Sequence, residues 1–105
     1  MTGDESTLGG YVAVHARPPA FEGVDGQPYS VDVGVDETGD PAAPVGAYLF
    51  FVRWGNQAVT GHLETEFLVR GVSEDAVREA IGRMPLLTVK ATLDAVIRRG
   101  SGCGG

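Results

Sequence analysis

Apolar residues recur along this chain with two spacings, first a period of two and then a period near 3.6. Residues 29–37, YSVDVGVDE, alternate strictly: Tyr29, Val31, Val33 and Val35 fall on one side, and Ser30, Asp32, Gly34 and Asp36 on the other. That is the pattern of a half-buried strand with one wet face. Residues 46–54, GAYLFFVRW, are apolar on both faces as far as Arg53 and predict a central strand. Residues 58–69, AVTGHLETEFLV, alternate again. Val59, Leu63, Phe67 and Val69 share one side, Thr60, His62, Glu64 and Glu66 the other, and Gly61 marks a bulge. The same alternation in YVAVHAR, residues 11–17, predicts a first strand, ended by Pro18 and Pro19 because proline cannot donate to a ladder. Between these lie a turn at VDGQP (24–28), a loop at TGDPAAP (38–44) and a hairpin at GNQ (55–57).

The helical period begins at residue 73. Ser73 is a good N-cap, and Glu74 and Asp75 suit the first turn, where the helix dipole favours acids. Val72 and Val77 have the spacing of a hydrophobic staple. Val77, Ala80, Ile81 and Met84 line one face, and Gly82 and Pro85 keep this helix short. A second helix starts near Leu86, with a stripe of Leu86, Val89, Leu93, Val96 and Ile97. Asp94 and Arg98 have i,i+4 spacing; Arg98, Arg99 and Gly100 suit a helix end.

The element order is thus β-β-β-β-α-α. It predicts an α+β domain: a four-stranded, mostly antiparallel sheet with two C-terminal helices packed on one face. The strand-two valines, the Val59/Leu63/Phe67 row and the two helix stripes share the predicted core. The chain length of 105 residues fits one such domain over 10–100, after a disordered leader (1–9) and before a flexible glycine-rich tail (101–105).

Charge narrows the partners. The net charge is −6, and it is lopsided: residues 1–52 hold eight acids and one base, residues 53–105 six acids and seven bases. An acidic surface repels phosphate backbones and anionic lipid, so neither nucleic acid nor membrane is expected as a partner. The longest apolar run, AYLFFV, is far short of a membrane span, and one cysteine excludes an intrachain disulfide. The polar opening MTGDESTLGG is unlike a signal peptide, so a cytoplasmic location is expected.

Chemistry is sparse. There is no phosphate loop, no dinucleotide fingerprint and no nucleophile elbow. One lysine and two histidines make a thin acid/base inventory, which leans away from an enzyme and calls for no cofactor. Three candidates remain. On the second sheet face, alternation gathers Asp32, Asp36, His62, Glu64 and Glu66, with Arg53 joining if the register allows. His62 and Glu64, two apart on one strand, form a weak His/carboxylate pair for a metal or for acid/base work. Tyr48, Phe50 and Trp54 project together, and helices on the opposite face would leave this row free for a protein partner, either a second copy or the product of a neighbouring gene.

The third candidate is the end of the chain. Cys103 is a lone thiol, and Gly104 and Gly105 follow it. A terminal Gly-Gly after basic residues resembles the ends of ubiquitin-like modifiers and sulfur carriers. That resemblance implies activation of the Gly105 carboxylate and transfer as a thioester or amide. The predicted element order departs from the β-β-α-β-β order of those families. The composition of GSGCGG equally fits a plain linker-like end.

The sequence thus favours a small interaction module over a modifier or a metalloenzyme.

Overall fold

The structure, a computed structural model, describes residues 5–56 and 58–103. Five antiparallel strands form one sheet: β1 (Ala20–Glu22), β2 (Pro28–Glu37), β3 (Val45–Gly55), β4 (Ala58–Glu64) and β5 (Val69–Gly71). The first four lie in sequence order, and β5 pairs with the start of β3 beyond the end of β4. Three helices complete the fold: α1 (Leu8–His15), α2 (Glu74–Gly82) and α3 (Leu86–Cys103). The domain is α+β, with its sheet antiparallel and two helices at the C-terminal end.

The core lies between the helices and one sheet face. Odd-numbered residues of β2 and β3 point into it: Tyr29 and Val31 meet Ala47, Leu49 and Phe51, all at most 1% exposed. Leu63 of β4 and Val69 of β5 extend this layer through their pairing with Phe51 and Ala47. From the helices come Leu8, Val77, Ile81, Val89, Leu93 and Ile97.

Local signals explain the C-terminal helices. The Ser73 hydroxyl accepts from the Ala76 N–H (3.1 Å), so Ser73 caps α2 as its position predicts. Val72 is 75% exposed, so the staple with Val77 does not form. Asp94 bonds Lys90 rather than Arg98, and its carboxylate also accepts from the Val24 N–H (2.9 Å), tying α3 to the turn before β2. Gly100 does not end α3. The helix continues to Cys103, so residues 101–103 are helical where a tail was expected.

The N-terminal segment departs most from the sequence expectation. YVAVHAR is not a strand; residues 8–15 are helical. Extending the β1–β2 register, in which Ala20 faces Ser30, would set His15 and Arg17 on the core side beside Val35 and Val33. The Arg17 guanidinium and the polar His15 ring there would need desolvation, and Pro19 lacks one ladder donor. The helix is instead fixed by non-local contacts. Thr7 caps it, its hydroxyl accepting from the Gly10 N–H (3.1 Å). Leu8 enters the core at 3% exposure. Leu8 N–H donates to Met84 O (2.8 Å) and Leu86 N–H to Ser6 O (2.7 Å), so residues 6–8 clasp the α2–α3 junction. Gly9 and Gly82 let α1 and α2 touch by backbone, since a Cβ on Gly9 would lie 3.1 Å from Gly82 O. Residues 5–9 are therefore part of the domain rather than a leader.

Leu8→Ala should cost about 2–4 kcal/mol, the usual loss for a truncated core leucine, measured by urea unfolding. An unchanged midpoint would return residues 5–9 to a leader. Two groups couple stability to pH. Burial, then the bond its hydroxyl donates to Asp25 (2.8 Å), raises the Tyr29 phenol above its ordinary 10.0. The Lys90 ammonium, bonded to Asp94, holds that carboxyl below its ordinary 3.8. Tyr29 stabilises fully below its unfolded value and loses this as pH rises through the folded value. Asp94 contributes above its unfolded value and loses this as pH falls. Thermal scans should show Tyr29→Phe removing part of the alkaline loss and Asp94→Asn part of the acid loss.

Candidate functional site

All three helices contribute to the core on one side of the sheet, and the even-numbered residues of β3 face away from them. Tyr48, Phe50, Val52 and Trp54 thus form a row on the opposite face, which we call the outer face. Across β2 the row is flanked by Gly34, Asp32 and Ser30; across β4, by Glu64 and His62.

The rings lie down on their neighbours. Tyr48 covers Gly34 so closely that a Cβ there would come within 2.1 Å of the ring. Phe50 stacks on the His62 imidazole at 5.0 Å between centroids and 13° between planes. Trp54 donates its indole N–H to the Ser30 hydroxyl (2.9 Å), which fixes the ring across β2 while leaving the residue 40% exposed. Tyr48 and Phe50 are half-buried. The aromatic row is therefore a flattened, preorganised platform, in which ordering on binding costs little side-chain entropy.

Two apolar residues join this face that alternation assigned to the core. Arg53 pairs with Gly61 and Trp54 with Val59, so β4 carries one extra residue at Thr60. This bulge reverses the side on which everything before it projects. Val59 lands beside Trp54 and is 58% exposed. Phe67 follows the end of β4 and lies over Gly46, where a Cβ would come within 2.4 Å of its ring. It also meets Tyr48 edge-on (6.1 Å) and carries the Arg70 guanidinium 5.8 Å from its centroid. Gly61 signalled the bulge in the sequence, but its consequence for Val59 depends on which side of Gly61 the extra residue falls.

The polar candidates separate. Arg53 faces the core side and bonds Thr60, donating through Nε to the hydroxyl (3.2 Å) and through a terminal nitrogen to the carbonyl (3.3 Å). Asp32 and Asp36 turn to the backbone: their carboxylates accept from the N–H groups of Val33 and Glu37, both at 2.8 Å. His15 is on α1, where it pairs with Glu5 (2.9 Å) and lies tilted against the Tyr11 ring (4.3 Å between centroids). His62 and Glu64 do share the outer face, yet among the described residues no three His, Cys, Asp or Glu side chains gather as a metal cluster. A depression of about 330 Å³ beside them is lined by Asp36, Tyr48, Glu64, Glu66, Phe67 and Arg70. Cys103 is the last residue of α3, and Gly104 and Gly105 lie outside the described residues. Among the described residues no helix is long and apolar enough to cross a membrane.

No protein-family model matches the chain, and no curated protein or solved structure is similar enough to lend it an activity.

His62 thus acts here as a stacking partner. A double-mutant cycle of Phe50→Ala and His62→Ala should return a coupling of about 0.5–1.5 kcal/mol, the range for paired rings. Additive losses, or a melting temperature raised by stoichiometric Zn2+ and abolished in His62→Ala, would contradict this.

Proposed function

We propose that this domain is a protein-interaction module that binds through the outer face of its sheet, with Tyr48, Phe50 and Trp54 as its anchors. One observation carries the reading: the helices occupy a single face, and the other bears Tyr48, Phe50, Val52, Trp54, Val59 and Phe67 with no element among the described residues packed over them. An antiparallel sheet that ends at water normally presents polar residues there. A contiguous aromatic and aliphatic surface with a polar rim is the composition of an interface core. Trp54 and the tyrosine are the residue types that most often carry binding energy. A cytoplasmic setting belongs to this proposal, supported by the single cysteine and the acidic surface.

The occupant is a protein, either a second copy of the chain or a partner encoded nearby. Size bears on how tightly a second copy would bind. From Gly46 to Trp54 the face is about 27 Å long, and three strands make it about 14 Å wide. That is roughly 400 Å², about half of what one partner contributes to a standard interface. Self-association through this face alone would be weak and concentration-dependent. Asp32, Asp36, Glu64 and Glu66 at its rim would oppose like faces, so added salt would strengthen pairing of two copies.

Size-exclusion chromatography with light scattering tests this across concentration. The expected result is a mass that rises from monomer toward dimer, more readily at high salt. Trp54→Ala should weaken the association by about tenfold or more, with unchanged far-ultraviolet dichroism. A monomer at every concentration would remove the second-copy arm. Association unaffected by Trp54→Ala and Phe50→Ala would remove the outer face.

A further inference from the structure

Because residues 8–15 form a helix, β2 has, among the described residues, no neighbouring strand on its outer edge over much of its length. β1 covers only Pro28, Tyr29 and Ser30. Antiparallel geometry makes alternate residues bond to β3. Thr38 N–H reaches Pro44 O, so even-numbered residues face β3 and odd-numbered amides face outward. Val31 N–H is used by Pro19 O (3.2 Å). The outward amides of Val33 and Glu37 are held by the carboxylates of Asp32 and Asp36, and the Val35 amide lies between them on the open edge. Beside this edge, under α1, runs a groove of about 290 Å³ lined by Leu8, Val12, Pro18, Val31 and Val33, with Arg78 at its rim.

We propose that the open edge of β2, Asp32 to Glu37, is a strand-addition site for an extended segment of a partner protein that alternates basic and apolar residues. The alternation follows from the register. Residues of an added strand opposite Asp32 and Asp36 lie on the outer face, where both aspartates are exposed. Lysine or arginine there pairs with them. Residues opposite Val33 and Val35 point to the core side, and the first of these enters the groove under α1.

The exchange conserves hydrogen bonds. As basic side chains take the two carboxylates, the freed amides of Val33 and Glu37 donate to the incoming carbonyls, and Val35 gains an acceptor. The same aspartates disfavour a second copy on this edge. A two-fold pairing about Val35 would bring Asp32 and Asp36 of both chains together on one face. Charged edge residues are a known guard against edge-to-edge association, and here they select the sign of the guest as well.

The probe is a blocked hexapeptide alternating lysine and valine, titrated at low salt into the isotope-labelled full chain and followed by NMR. The expected shifts concentrate on the amides of Val33, Val35 and Glu37. Intermolecular Hα–Hα contacts should appear to Gly34 and Asp36, whose Cα–H bonds face the edge, and hydrogen exchange at Val35 should slow. A glutamate–valine hexapeptide should bind at least about tenfold more weakly, as should Asp32→Asn/Asp36→Asn with the lysine peptide. Val35→Pro removes an outward amide and no bond to β3, so it should also reduce binding about tenfold. The wild-type contacts decide the question even if that variant unfolds. Equal binding of the glutamate peptide, shifts confined to Trp54, Phe50 and His62, or no shifts at millimolar peptide would each overturn the edge assignment. Self-association through the outer face is read separately, by light scattering.

Discussion

The rest of the structure depends on how β3 is covered. Its odd-numbered side chains, from Val45 to Phe51, and its even-numbered ones, from Tyr48 to Trp54, are apolar alike. A strand of this kind asks for cover on both faces. The helices supply one side only, since Val77, Ile81, Val89, Leu93 and Leu8 share a single core with Ala47, Leu49 and Phe51. The second face answers by folding its rings flat. Tyr48 lies on Gly34, Phe67 on Gly46 and Phe50 against His62. Each glycine is a place where a side chain would otherwise hold a ring away from the sheet. This lowers the apolar area left to water without removing it, and the remainder is what makes the outer face a binding candidate.

Much of this was legible from spacing alone. Strict alternation located β2, the doubly apolar run located β3, and the Ser73 cap located α2, because in each case the local signal and the tertiary environment agree. The outer row of Tyr48, Phe50 and Trp54 followed from the period of two. The position of Val59 and Phe67 did not. One extra residue at Thr60 reverses the side of everything before it, and the chain leaves the strand after Glu64, so a continuous alternation count across 58–69 assigns both residues to the wrong face. β5 was absorbed into the same count.

The N-terminal segment failed for the opposite reason. Two valines and a tyrosine favour a strand, and two glycines disfavour a helix. What makes residues 8–15 helical acts at long range: Leu8 in the core, and backbone bonds from Ser6 and Leu8 to Leu86 and Met84. No local window contains those partners. The helix has a structural consequence, because a strand at 11–17 would have filled the β2 edge. With a helix there, Asp32 and Asp36 cap the edge amides instead. Residues that looked like site carboxylates are thus edge residues first.

The account stands on one face being covered and the other open, and solvent accessibility at the rings measures this most directly. A soluble paramagnetic probe, added to dilute protein, broadens the NMR signals of groups it can approach. The account predicts strong broadening of the Trp54 indole N–H and of the Phe50 and His62 ring protons, with Leu49, Phe51 and Leu93 protected. Protection of the outer rings equal to that of Phe51 at the same dilution would contradict it, because some part of the chain would then cover the face proposed for a partner.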